Sequence, residues 1–484
     1  MELKPGLSKN SLHTWYDTFD WRLFRKKRLL VRKGTEWVLQ DFQEKQLLSW
    51  TDQQETFHLS GKLPESPLSN AIQNIIGIRA LIELGVMDGT TTTIFILNRD
   101  KNIGAFLYVQ ELSNRQNGQR LITVTLEGVR GYNKKFQQIA RILRASGVET
   151  QTKTTDILRF VLQDSGRVPL DYSSGYSVDL NPKMSSVQAV TVIYRSLLKS
   201  IKQNEQGVID DIDSEFLHDL RVAVRRTRSA LSLTKGVLAT EFSDKLKQEF
   251  RYLGEITGPV RDLDVYLLSE EEYKSRLPER LQEGLSYFFE DLSRRRELEQ
   301  KKLVGALQGP RYKKIITGWQ QDLELKGELP TGEHGNVSIE VLAGKIIHKR
   351  FHRVLRDGRR IHQDTPDTEL HRLRIECKKL RYSLEFFSSL YDQRQMKKLV
   401  AQLKRLQNNL GDFNDLSVQQ EMLADNLSTI RLGSKKSREI AASLGGLMAT
   451  LSLQHREVRM HFEKTFAHFS RKENLELFGR LFED

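Results

Sequence analysis

Two stretches of this chain carry the same cationic side chains at the same spacing. His218, Arg221, Arg225, Arg226 and Arg228 are followed, 153 positions later, by His371, Arg374, Lys378, Lys379 and Arg381. The offset runs on without a gap: Arg251 maps to Lys404, Gly258 to Gly411, Asp262 to Asp415, Leu263 to Leu416 and Val265 to Val418. A guanidinium is a planar fork that matches two phosphate oxygens and stays charged at every relevant pH; lysine adds an adjustable point charge. Histidine can donate to phosphate and gains charge as pH falls, or it can pack between helices satisfied by a carboxylate; that both copies keep it favours the ligand role. The chemistry on offer is capture of an anion. Bond-making signals are missing: the chain has no Walker A sequence, no G-x-S-x-G and no G-x-G-x-x-G.

Both stretches read as helices. At about 100° per residue, His218, Arg221, Arg225 and Arg228 fall within less than a quarter-turn, a stripe roughly 15 Å long. Leu217, Leu220, Val224 and Leu231 begin where the cations stop, as do Leu370, Leu373, Cys377 and Leu384 in the second copy. The stripe therefore borders a core and points into a groove. Cations at i, i+3 and i+4 repel by a few tenths of a kcal/mol per pair (~0.2–0.5) unless an anion intervenes. A solvated charged face, or a salt-bridge network using Asp262 and Asp415, is the plainer reading of one such helix. Two copies at one spacing favour a shared ligand, with Asp262 and Asp415 orienting the cations or capping a turn rather than contacting the anion. The Arg225-Arg226 copy is expected to bind more rigidly than the Lys378-Lys379 copy.

Arg195, Lys199, Lys345, Lys349 and Arg353 are weaker candidates for extending the site. His348 and His352 stand at i, i+4 without a nearby carboxylate or cysteine, so they read as solvated or phosphate-facing rather than as metal ligands. No metal and no cofactor are expected.

The chain has 484 residues and a formal net charge of +13, which suits nucleic acid, a phosphate polymer or an anionic membrane surface without choosing among them. Cys377 is the only cysteine, which rules out an intrachain disulfide and a thiolate metal cluster. The N-terminus lacks a signal-peptide pattern, and no apolar run reaches the ~18 residues of a membrane span. The expectation is a cytoplasmic protein with no membrane insertion.

The positioning elements divide into two textures. Residues 1–180 read as an α+β domain, with a turn around Tyr16-Asp17-Thr18 and strands at 90–97, 105–112 and 120–127. Helices are expected over 69–84 and 133–146, stopped by Gly85 and Gly147. From Pro182 almost every segment is helical: 185–204, 214–235, 243–268, 278–307, 338–361, 368–390, 395–423 and 437–469. Ser185, Ser214 and Ser243 suit N-caps and Pro278 a first helical turn. The stretch 326–336, with Gly327, Pro330, Gly332 and Gly335, separates two halves. The expected fold is an α+β N-terminal domain followed by an all-α domain of two pseudo-symmetric four-helix halves, about 183–325 and 337–470, whose pseudo-twofold packing would bring the stripes face to face.

His218 to Arg228 and His371 to Arg381, with Gly258-Pro-Val-Arg-Asp-Leu-Asp-Val265 and Gly411-Asp-Phe-Asn-Asp-Leu-Ser-Val418, resemble the conserved histidine α-helical domain, or CHAD, family over about residues 183–470. The resemblance implies a basic central channel that binds inorganic polyphosphate without catalysis, with polyphosphate granules as a further partner and location. On this sequence the implied polymer ligands are His218, Arg221, Arg225, Arg226 and Arg228, matched by His371, Arg374, Lys378, Lys379 and Arg381; the pair Arg251 and Lys404, related by the 153-residue offset, is expected to extend them.

Residues 1–180 are similar to a degenerate CYTH, or triphosphate tunnel, domain, through Trp15 to Leu23, Leu29 to Lys33 and Val124 to Tyr132. That family's metal-holding E-x-E-x-K strand has no counterpart, since Glu2-Leu3-Lys4 runs into Pro5, and Thr90 to Thr93 stand where tunnel cations belong. The alternatives carried forward are a metal-dependent inorganic triphosphatase in this domain and a nucleic-acid binder. The latter is disfavoured because only Tyr382 adjoins the stripes as a stacking platform.

Overall fold

The computed structural model describes residues 2–43, 46–51, 65–148, 154–325, 329–431 and 433–482. The chain forms two compact units, Met1–Gly175 and Tyr176–Asp484.

The first unit is built on one antiparallel sheet. Its elements are β1 (Glu2–Thr18), α1 (Arg22–Arg25), β2 (Arg28–Lys33), β3 (Glu36–Asp41), β4 (Gln46–Thr51), α2 (Pro67–Ile76), β5 (Leu81–Leu97), β6 (Ile103–Asn114), β7 (Arg120–Gly128), α3 (Asn133–Ala145) and α4 (Thr154–Val161). The strand order is β4-β3-β2-β1-β5-β6-β7. The long central strands β1 and β5 pair from Glu2↔Leu97 to Thr18↔Leu81. Trp15, Leu29, Val31, Leu84 and Met87 pack in one cluster with Ile157, Leu158 and Val161 of α4, and Tyr16, Leu30, Trp37 and Leu39 in another with Leu68 and Ile72 of α2. Alternate side chains along β1 and β2 thus feed two helix-covered faces.

Tyr16 to Thr18 end β1 rather than turn. The reversal follows, fixed by Asp17, whose carboxylate accepts from the backbone N–H groups of Thr18, Leu23 and Phe24. The helix expected over 69–84 stops at Ile76, because Gly77 takes φ 62° and breaks the helical path. Leu81 onward is strand, so Gly85 is no helix stop. It lets β5 approach α4, since a Cβ there would sit 2.7 Å from Val161 Cγ1. The strands expected at 90–97, 105–112 and 120–127 lie inside β5, β6 and β7, while β3 and β4 were unforeseen.

The second unit is helical: α5 (Ser186–Ile209), α6 (Ser214–Leu233), α7 (Thr240–Ile256), α8 (Gly258–Leu268), α9 (Glu270–Ser275), α10 (Glu279–Gln308), α11 (Pro310–Leu325), α12 (Ile339–Gly358), α13 (Asp367–Phe386), α14 (Gln393–Thr429), α15 (Lys435–Met460), α16 (Phe462–Phe469) and α17 (Lys472–Phe482). The 153-residue offset holds in the backbone: α13 begins and ends 153 positions after α6, and α12 begins 153 after α5. Ser185 and Ser338, just ahead of α5 and α12, meet in an antiparallel bridge. The halves differ at Thr257, which separates α7 from α8 and whose hydroxyl donates to the Leu253 carbonyl at 2.7 Å. Its counterpart, buried Leu410, lies inside the unbroken α14.

Ser185 caps α5 in a reciprocal box with Gln188. Ser214 does not cap α6; Asp213 does, accepting from the N–H groups of Glu215 and Phe216. Ser243 lies inside α7, and Pro278 immediately precedes α10. Helices α11 and α17 were not foreseen. Within the separator at 326–336, Lys326 and Gly327 fall outside the described residues.

Candidate functional site

Burial of Leu217, Leu220, Val224 and Leu231 on α6, and of Leu370, Leu373, Cys377 and Leu384 on α13, fixes the rotation of both helices. The cationic rows follow from that rotation. Helix α6 of the first half packs against α13 of the second. Arg225 of the first half is close enough to disfavour the charged forms of Arg374 and Lys378 of the second. Burial, then repulsion from Arg374 and Arg225, pulls the Lys378 ammonium from its ordinary 10.5 to about 8.

The flanking helices leave room for the guanidiniums. Arg221 donates to the Gly254 carbonyl and the Thr257 hydroxyl, both at 3.2 Å. A Cβ on Gly258 would stand 3.4 Å from Arg221 Nη1, and one on Gly254 would stand 3.2 Å from Arg228 Nη1. Arg374 meets Asp415 at 3.3 Å, while its Nε is buried without a hydrogen-bond partner among the described residues. Asp262 and Asp415 hold corresponding places in the two halves, and both act on Tyr266, whose hydroxyl is pushed up to about 12 by burial first and these carboxylates second. The equivalent carboxylates of the two halves thus both lie within electrostatic reach of Tyr266.

A family model described as the CHAD domain matches residues 193–424. That segment belongs to the CHAD domain family. Among solved structures, the CHAD domain from the plant Ricinus communis is 25% identical with a TM-score of 0.50, covering 60% of this chain and 94% of that one. PptA from Streptomyces chartreusis is 16% identical with a TM-score of 0.47, covering 58% of this chain and 99% of that one. No curated protein matches the sequence.

Within the CHAD domain, the sequence-derived residues fall into three groups. Arg225 acts on Arg374 and Lys378 across the two halves and on Arg221 within its own, with Asp262 supporting the charge of Arg221 and Asp415 that of Arg374 and Lys378. Arg228 lies against Gly254 beside them. Arg225, Arg228 and Lys378 have no carboxylate within 4.0 Å among the described residues.

A second group is held by internal acids. Arg226 and Arg381 share Glu385, at 3.0 and 2.6 Å, and Arg226 also covers the Tyr176 ring. Lys379 pairs with Glu376 at 2.7 Å, on the side where Arg350 reaches the same carboxylate at 3.0 Å. Arg226 and Lys379 lie about 80° around their helices from the histidines, which explains the separation. Of the rest, exposed Arg251 pairs with Glu255 at 2.8 Å, and Lys404 is exposed on α14.

The histidines form the third group. His371 Nδ1 meets Asn414 Oδ1 at 3.1 Å, and its ring lies 5.5 Å from Phe413. His218 is half-buried at the matching place on α6.

Sequence comparison of the halves missed Arg261. It sits within electrostatic reach of Arg225, with Glu215, Asp264 and Asp219 supporting its charge. The second half has Asn414 at that position, so a filter for repeated residues discards it. Among the weaker candidates, Arg195 is spent on the Leu323 carbonyl at 3.0 Å and Arg353 on Glu376 at 3.5 Å. Cys377 is fully buried and burial raises its thiol pKa, which makes it a core residue and no nucleophile.

In the first unit, Glu127 accepts from the Tyr108 hydroxyl at 3.1 Å. β1 carries carboxylates only at its ends, Glu2 and Asp17, and Asp17 is taken by three backbone N–H groups. This strand does not fit the paired metal-holding carboxylates of a triphosphate tunnel. No described helix of the chain is long and apolar enough to cross a membrane.

Proposed function

We propose that the chain binds inorganic polyphosphate, without catalysis, in a basic channel lined by α6 and α13. The reading rests on one observation: Arg225, Arg374 and Lys378, from opposite halves, are held close enough to repel one another; Asp415 pairs with Arg374 and supports the charge of Lys378, while Arg225 and Lys378 have no carboxylate within 4.0 Å among the described residues. A bound anion would favour the charged forms that this repulsion disfavours. Linear phosphate chains offer repeated charge with oxygens on every side, which matches forks along two rows better than a single compact anion would. On this reading the protein associates with polyphosphate granules through the same rows.

Salt dependence checks the electrostatics. If Arg221, Arg225, Arg228, Arg374 and Lys378 each neutralise one phosphate, log affinity falls with log salt at a slope of about −3.5, using the single-strand coefficient. Competition checks the ligand. Polyphosphate should displace single-stranded RNA from the chain at physiological salt; the reverse preference would overturn the proposal.

A further inference from the structure

We infer that a lysine-lined cleft at the C-terminal end of α6 continues the basic row and gives the protein an extra binding segment for long anionic chains only. This rests on the polyphosphate reading and deepens it.

The cleft has a volume of about 860 Å³ and opens between the end of α6, the start of α7 and the middle of α12. Its walls continue the helix faces that carry the site. Ser232 follows Arg228 by four residues, one turn along the same face of α6. Lys247 precedes Gly254 by seven, two turns along the face of α7 against which Arg228 lies.

Charge in the cleft is unbalanced. Lys247 is paired with Asp244 at 2.8 Å, His334 with Glu333 at 3.2 Å, and Arg350 with Glu376 at 3.0 Å. Lys235, Lys345 and Lys349 line the same space with no carboxylate within 4.0 Å among the described residues. Lysine suits this place, because a flexible point charge can follow a polymer whose register is not fixed.

The duplication supplies an internal control. At the 153-residue offset, Lys235 corresponds to Ser388, Lys345 to Val192 and Lys349 to Ser196, so the cleft's cations are absent from the other half. Ser232 corresponds to Glu385, which binds Arg226 and Arg381. One end of the paired rows is thus closed by a carboxylate, and the other opens onto lysines. A long chain would leave the site in one direction.

The test uses the full chain, with tripolyphosphate and long-chain polyphosphate as probes. The double variant Lys345→Gln/Lys349→Gln should weaken long-chain binding about tenfold and lower its salt slope by about 1–2, while tripolyphosphate affinity stays unchanged. A control of equal charge, Lys435→Gln/Lys436→Gln on α15, should leave both affinities within about twofold. The inference is overturned if long-chain affinity survives the cleft variant, if both probes are lost equally, or if the control has the same effect. Should the unaltered chain bind neither probe, the polyphosphate reading itself fails, a result separable from all of these.

Discussion

Arg226 on α6 meets Glu385 on α13 at 3.0 Å, joining the two halves through a pair whose side chains are only 12% and 15% exposed. The same carboxylate holds Arg381 at 2.6 Å. Two of the cations singled out by the duplication therefore serve the fold.

Replacing Glu385 by Gln should separate stability from binding. Leaving two arginines without their carboxylate should cost about 2–4 kcal/mol. The same change frees two cations, so polyphosphate affinity should hold or rise. Urea denaturation with and without the polymer measures both; a variant that unfolds more easily and also binds more weakly would place Glu385 on the ligand side.

Arg225 should behave in the opposite way. It is exposed, has no carboxylate partner among the described residues, and opposes the charges of Arg374 and Lys378. Arg225→Gln should leave the free protein as stable as before or slightly more so, within about 0.5 kcal/mol, and should weaken polymer binding. A thermal melt paired with a titration decides. Marked destabilisation would show that Arg225 holds the fold.

Lys378 predicts a pH signature. Its ammonium titrates at about 8 when folded against 10.5 ordinarily. Between those values the unfolded chain binds more protons, so the free protein should gain stability as pH rises through about 8 to 10. Anion binding favours the charged lysine, so affinity should fall across the same window. In Lys378→Met both slopes should flatten; unchanged slopes would assign the titration elsewhere.

The glycines flanking the rows should differ. Gly411 lies inside α14 with open space where a Cβ would go. Gly411→Ala should stabilise the protein by about 0.5–1 kcal/mol and leave binding alone. Gly254→Leu should push Arg228 aside and weaken binding without unfolding the chain, because even a Cβ at this position would stand 3.2 Å from that guanidinium. Equal effects on binding would deny Arg228 a place in the site.

The α6–α13 pair was legible because duplication filters a sequence: a spacing kept twice marks both the helix and the face that carries the cations. The same filter hid what the halves do not share. Glu385, opposite Ser232, and Arg261, opposite Asn414, carry much of the asymmetry and have no repeated signal. Arg226 and Lys379 repeat, yet their rotation of about 80° from the histidines turns them toward internal acids. In the first unit, Ile76 to Leu84 carries apolar residues that fit either period, and the left-handed Gly77 decides the matter in favour of a strand. β3 and β4 are short strands that single-sequence periodicity does not separate from loop.

The most direct test is a polyphosphate titration of the full chain beside its Arg225→Ala/Arg374→Ala variant at physiological salt, with a thermal melt to confirm that both are folded. Loss of affinity by about tenfold or more, some 1.4 kcal/mol, in a folded variant is the predicted result. Equal affinity of the two proteins would contradict a shared site between the halves.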